Sequence, residues 1–459
     1  MQSRPTKAQE IRVISDVSST MSSRFSHPLT AVAIAVVVTL PWVAAWVTGA
    51  ASGLGHLGTV VVSGLAVLGA SFLLAWGAET AEKDVPRAFA LAVLAVLAVA
   101  PEYAVDALYA WQAATDPSKA NLAVANMTGA NRILIGLGWS GIALFSIFKA
   151  IRGRDDTSVV NRDGYLRDAV TLDPSISTEI LFLFIATVYA FFVPIGAGID
   201  WVDTVVLVGL YVTYIAIIIR GDVDEHDEQV GVPAYFQAKP KVARFASVLG
   251  LFAYSAFLIF TAVEPFAHGL EELGLQFGIP EFFMIQWIAP LASESPELIV
   301  TAYLVNKARS TAAFNALISS KLNQWTLLIG TLVVVYSISL GQYGKLPFDL
   351  KQEAEIWLTA AQSFFALTVL VNFQIDVREA VTLLVLFVSQ VVVEFAIIRT
   401  FPEAVAESHS INLLLAYTAI YLLIGVVLLV KRREDLKRLA SLTVRNVRGE
   451  PTPEPGGAD

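Results

Sequence analysis

The sequence predicts an all-α fold: a polytopic transmembrane helix bundle with a ten-helix inverted-repeat core (5+5) and one extra helix at each end. Three observations predict it. The chain is 56% hydrophobic and only 15% charged, which is more apolar surface than a soluble domain can hide. The apolar residues fall in separate runs of roughly 18 to 25, the length an α-helix needs to cross a hydrocarbon core of about 30 Å. A Pro-Glu pair followed by a polar series occurs once in each half of the chain.

Read in order, the runs give helices at 29–49, 57–80, 86–113, 119–147, 177–196, 201–219, 243–267, 279–306, 311–339, 354–373, 377–399 and 411–430. Charges or Gly and Pro separate them. Residues 1–28, with Arg4, Lys7, Arg12 and Arg24, are polar. The run after them is too long for the apolar region of a signal peptide and reads as the first membrane helix. An even number of spans puts both termini on one side, and the basic residues say which. Lys149, Arg152, Arg154, Arg162 and Arg167 follow the fourth helix, Lys307 and Arg309 follow the eighth, and Lys431, Arg432 and Arg433 open the tail. All share the side of the basic N-terminal segment, which is expected to be cytoplasmic, with the protein in the cell (plasma) membrane.

The domain plan follows: a cytoplasmic segment 1–28, an extra helix 29–49, a first repeat 57–219, a cytoplasmic acidic linker 220–242, a second repeat 243–399, an extra helix 411–430, and a tail 431–459 that is basic and then disordered. The linker carries Asp222, Asp224, Glu225, Asp227 and Glu228, without the alternation, central Gly and terminal Glu of a calcium loop, so it reads as solvated. The tail from Gly449 to Asp459 has the Pro, Gly and Glu content of a disordered segment. There is no cysteine, which excludes disulfides and thiolate metal sites. His268, Glu264, Glu271 and Glu272, and Glu79 and Glu82 in the first half, read as interfacial charges.

The repeat is visible residue by residue. Ala100-Pro101-Glu102-Tyr103-Ala104-Val105-Asp106 in the first half answers Ser295-Pro296-Glu297-Leu298-Ile299-Val300-Thr301 in the second. The next helix of each half carries Asn126-Met127-Thr128-Gly129-Ala130-Asn131-Arg132 and Asn315-Ala316-Leu317-Ile318-Ser319-Ser320-Lys321. From Glu to Asn is 24 residues in one half and 18 in the other, so only the loop differs. Five spans per repeat, an odd number, force the halves into opposite orientation, and such inverted repeats place their sites near the midplane of the membrane.

A carboxylate near the bilayer centre is expensive, so it faces a cavity, a partner or a path. Glu102 and Glu297 are such residues. Asp106 lies one turn beyond Glu102 and Glu294 three residues before Glu297, so each pair shares a helix face. Pro lacks an N–H and frees carbonyl groups that can serve as oxygen ligands. Asn126, Asn131, Asn315 and Ser320 offer further polar contacts, either as ligands or as interhelical hydrogen bonds.

These residues carry a resemblance. Pro101-Glu102 with Asn126-x-x-Gly129-Ala130-Asn131, and Ser293-x-x-Pro296-Glu297-Leu298 with Asn315 and Ser319-Ser320, resemble the two α-repeats of the sodium/calcium exchanger (cation/calcium antiporter) superfamily over about residues 57–399. The resemblance implies secondary antiport by alternating access, with the cation held by Glu102 and Glu297. Asp106, Glu294, Ser293, Asn126, Asn131, Asn315 and Ser320 complete the expected ion-binding set. The implied ions are calcium or another cation exchanged for protons or sodium. The expected partners are the lipid bilayer and inorganic cations, with no nucleic acid and no cofactor beyond the transported ions. The sequence leaves the oligomeric state open.

The chain also departs from the family's motifs. The Thr-Ser expected before Pro-Glu is Ala98-Val99 in the first half, and Glu294 replaces a Ser in the second. Arg132 and Lys321 stand where the family has apolar residues, as possible charge partners for the acids. Four acids against these two bases leave a formal −2, which tilts the reading from sodium toward proton exchange. A transport-inactive scaffold with this fold is an alternative. A membrane-embedded enzyme is the weaker one, since the chain has no nucleophile-base pair, His-Glu-x-x-His motif or nucleotide loop.

Overall fold

The computed structural model describes residues 27–81, 83–84, 99–152, 158–162, 164–196, 198–220, 231–306 and 308–448. In chain order its helices are α1 (Pro28–Val47), α2 (Gly55–Ala81), α3 (Ala100–Gln112), α4 (Ser118–Ile151), α5 (Ser177–Ala190), α6 (Trp201–Arg220), α7 (Val232–Gln237), α8 (Lys241–Phe277), α9 (Glu281–Asn306), α10 (Ser310–Leu340), α11 (Leu350–Leu370), α12 (Val377–Thr400), α13 (Glu403–Lys431) and α14 (Arg433–Val447). Among the described residues, nine helices are long and apolar enough to cross a membrane. The basic segment 1–26, residues 85–98 of the third expected helix, the acidic run 222–228 and the tail 449–459 lie outside the described residues.

Helices lie at the expected spans, at the third only over its described part, and their limits shift where polar residues belong to helices. Helix α8 runs 37 residues, through Pro265 and past Glu271, to an αL cap at Gly278 (φ 61°). At 1.5 Å per residue that is about 55 Å, longer than the hydrocarbon core, so its polar end projects beyond it. Helix α11 starts at Leu350 because the Asp349 side chain caps it, accepting from the backbone N–H of Lys351 and Gln352. Helix α14, which hydropathy does not find, is amphipathic: Leu439 and Leu442 are buried among charged neighbours. Thr443 donates to the Ser177 carbonyl at 3.2 Å, and Asn446 donates to the hydroxyls of Ser177 and Thr178 at 3.2 and 3.1 Å.

Short strands in the loops record the inversion of the halves. Strands β1 (Val159–Val160) and β2 (Ala169–Thr171) follow α4, β3 (Gly198–Ile199) follows α5, β4 (Leu346–Pro347) follows α10, and β5 (Gln374–Asp376) follows α11. β2 pairs antiparallel with β5 (Val170 opposite Ile375), and β3 with β4 (Ile199 opposite Leu346). Exchanging the two halves turns one cross-half pair into the other. Helices α4 and α10 each contain a π-helical turn, at Leu134–Trp139 and Gln324–Leu328, a feature frequent beside functional sites.

Helix α4 crosses α9 in close contact at Gly129. A Cβ there would sit 1.8 Å from the Gln286 carbonyl oxygen, so only glycine permits the approach. That crossing brings the polar series of the first half onto the Pro-Glu helix of the second.

Candidate ion-binding site

Glu102 occupies the first turn of α3, directly after Pro101. Proline suits that position, and the unpaired N–H groups of a helix start favour a carboxylate. In the second half, α9 instead runs unbroken through Pro296 and Glu297, as membrane helices allow. The Pro-Glu pair therefore marks a helix start in one half and lies inside a helix in the other.

Asn126 on α4 joins the acids of the first half. Its Nδ2 donates to Glu102 Oε1 at 2.6 Å and to Asp106 Oδ1 at 2.9 Å. The other Glu102 oxygen accepts the hydroxyl of Ser293 on α9, so a carboxylate of one half is held by a side chain of the other. In the second half, Gln324 Nε2 donates to Glu294 Oε1 at 2.6 Å and to the Ser320 oxygen at 3.3 Å. Glu297 receives the Ser320 hydroxyl, and its charge bears on Glu102 and Glu294. Tyr103 reaches across the halves to Asn323 Oδ1 at 2.8 Å.

Glu102, Asp106, Asn126 and Glu294 are at most 2% exposed. Several of their oxygens have no partner: Asp106 Oδ2, Asn126 Oδ1, Glu294 Oε2 and also Glu297 Oε2 are buried and unpaired. Buried oxygens without a donor are rare and call for an explanation. Hard cations bind all-oxygen sets of this kind. No three acidic or His side chains among the described residues form a cage by themselves. A cation here would draw on the amide and hydroxyl oxygens beside the carboxylates.

Three expected site residues lie elsewhere or act differently. Asn131 turns its Nδ2 to the Met127 carbonyl at 2.9 Å and accepts Lys321 Nζ on its carbonyl and side-chain oxygens at 3.2 and 3.1 Å. Asn315 lines a cavity of about 320 Å³ with Asp173, Arg309 and Thr311, at the end where the basic loops lie. Arg132 is not a partner of the four acids. It points away from them, donating Nη1 to Glu355 Oε2 at 2.8 Å and Nη2 to Gln390 Oε1, over the Trp287 ring at 5.0 Å. Lys321 stays near, its charge acting on Glu294. Four acids against one lysine then leave a formal −3 instead of −2.

The partners of Arg132 belong to a second buried polar group that sequence reading missed. Glu394 accepts Gln390 Nε2 at 2.8 Å and pairs with Lys351 at 3.2 Å. Glu394 stands in an otherwise apolar run, which was the available signal. Gln324 was also missed, although it lies one turn beyond Ser320 and so on the same face.

The chain matches the family described as sodium/calcium exchanger protein over residues 55–220 and 247–396. It is similar to the solved structure of the H+/Ca2+ exchanger CAX at 40% identity, covering 92% of this chain and 99% of that one, with a TM-score of 0.81. It also matches the sodium-calcium exchanger NCX_Mj at 16% identity, covering 73% of this chain and 98% of that one, with a TM-score of 0.48. No curated protein matches the sequence.

Proposed function

The chain belongs to the sodium/calcium exchanger protein family, and on that premise we propose that this membrane cation antiporter exchanges calcium, or a cation like it, for protons by alternating access. The observation that carries the reading is the Ser293–Glu102 hydrogen bond, which joins the two Pro-Glu segments in one site with unpaired buried oxygens. Glu102 and Glu297 are the proposed cation ligands, with Asp106, Glu294, Asn126, Ser293 and Ser320 supporting them. A carboxylate that has lost its cation in a low-dielectric site must take a proton or another cation. The same oxygens therefore serve both ions in turn.

Two observations favour protons over sodium. The similarity at 40% identity is to an H+/Ca2+ exchanger. Lys321, when protonated, also places a positive charge beside Glu294, which disfavours additional bound sodium ions. A formal −3 is neutralised by one divalent ion with one proton, or by three protons, so the charge count favours two protons per divalent ion. The plasma membrane, with both termini in the cytoplasm, is the proposed setting, from the positions of the basic loops.

The test is flux into proteoliposomes with calcium, sodium and proton gradients varied separately. Calcium uptake driven by a proton gradient is expected, and Glu102→Gln or Glu297→Gln should abolish it while the protein still inserts. Normal flux in both variants would overturn the site. No flux in the wild type, together with no stabilisation by calcium, would indicate the inactive scaffold.

A further inference from the structure

Glu179 plays no part in the site described above. It lies in the first turn of α5, near the end of the bundle that carries the basic loops, and is buried. Tyr214 on α6 donates its hydroxyl to Glu179 Oε1 at 3.3 Å, and the residue's own backbone N–H is the other donor. Its Oε2 is buried without a partner. No basic side chain among the described residues forms an ion pair with it. The helix start favours a negative charge, yet that explains neither the burial nor the tyrosine. A buried carboxyl group with no cation beside it is suited to carrying a proton.

The Tyr214 hydroxyl also reaches the hydroxyl of Ser319 on α10. The next residue, Ser320, is the one that holds Glu297. Ser319 and Ser320 are both partly accessible, and the relay needs one water between the Ser319 hydroxyl and the Glu297 carboxyl. The line Glu297, Ser319, Tyr214, Glu179 thus leads from the acids of the site toward the basic-loop end of the bundle. The cavity lined by Asp173, Ile176, Arg309, Thr311 and Asn315 opens at the same end.

We propose that Tyr214 and Glu179 form a proton relay between Glu297 and the aqueous phase at the basic-loop end. The proposal rests on the reading of the chain as a cation/proton exchanger. In the step, protonated Glu297 gives its proton to the water and Ser319. The Ser319 O–H passes a proton to the Tyr214 oxygen as the Tyr214 O–H passes its own to Glu179 Oε1. Each hydroxyl gains one proton as it loses one, so only the two carboxyl groups change charge, and Glu179 then releases the proton to water. The elements packed against α5 also carry titratable groups, Asp203, Tyr211 and Tyr214 on α6, Lys321 on α10, Glu355 on α11 and Arg445 on α14. Only Tyr214 bonds the carboxylate.

The relay is tested by comparing two rates in proteoliposomes: calcium uptake coupled to proton efflux, and isotopic calcium self-exchange at equal pH on both sides. Self-exchange needs binding and alternating access but no net proton movement. Tyr214→Phe keeps the ring beside Phe182 and removes only the hydroxyl. It and Glu179→Gln should slow proton-coupled uptake about tenfold or more, leave self-exchange unchanged and flatten the pH profile, and Glu179→Asp should restore part of the rate. Wild-type coupled rates in Tyr214→Phe, or an equal fall in both rates, would overturn the relay. A wild type that takes up calcium only against sodium would overturn the parent reading before any variant is compared.

Discussion

Arg132 and Glu355 form an ion pair of 2.8 Å between α4 and α11, with side chains 1% and 0% exposed. Asn131, one residue earlier, faces a different neighbour, Lys321. Helix α4 therefore carries the acids' partner Asn126 and an anchor to α11 and α12 on different faces. Removing one member of such a pair leaves an uncompensated buried charge, which costs about 3–5 kcal/mol. Glu355→Gln is expected to lower the detergent melting temperature sharply, and Arg132→Met with Glu355→Leu to recover much of the loss. If the double variant melts as low as the single one, the pair is not the anchor.

The spans were legible because the bilayer demands long apolar runs, and Glu102 and Glu297 because an acid inside such a run is costly enough to mean something. What hid the second polar group was the same hydropathy. Lys351 and Gln352 fall before the helix expected at 354–373, whereas Asp349 caps them into α11, where they turn inward with Glu355. The partner of Arg132 was hidden for a different reason. Spacing along α4 puts residues 131 and 132 about 100° apart, but which neighbour lies on each side is decided by the crossing at Gly129, a contact between halves far apart in sequence.

That crossing is itself open to test. A methyl group at position 129 would stand 1.8 Å from the Gln286 carbonyl oxygen, so the backbones must separate to admit it. Gly129→Ala is expected to destabilise the fold by about 1–3 kcal/mol, as overpacking does. It should also weaken calcium-dependent stabilisation, because Asn126 and Ser293 sit on the two helices that are pushed apart. A variant that melts and responds to calcium like the wild type would show that the approach is not required.

Outside the membrane, Asp84 binds the guanidinium of Arg244, which also donates to the carbonyls of Gln237 and Lys239 at 3.0 and 2.9 Å. The hydrogen bond from Arg244, with the charge of that residue and of Lys241 and Lys83, holds the Asp84 carboxyl below its usual range. A depressed acid stabilises the fold fully above its unfolded value, about pH 3.9, and loses that contribution as pH falls through the folded value. Asp84→Asn should therefore melt below the wild type at pH 7, with the same difference at pH 6, and the gap should close below about pH 4. A gap that changes between pH 6 and 8 would assign the effect to another group.

Of Arg132 and Lys321, Lys321 remains beside the proposed ion site, where it donates to Asn131 and acts on Glu294. Its positive charge opposes a bound divalent cation. At a separation of several ångströms and an effective dielectric constant of about 20, that repulsion is a few kcal/mol. Lys321→Met should bind calcium about tenfold or more tightly, read as a larger calcium-dependent rise in melting temperature at low concentration. The same variant should give up calcium less readily to protons, because the formal −3 becomes −4 and a further positive charge is needed before the site is neutral. Net exchange is then expected to slow while affinity rises. An affinity that is unchanged or lower would place Lys321 away from the cation, and the formal −3 assigned to the site would fall with it.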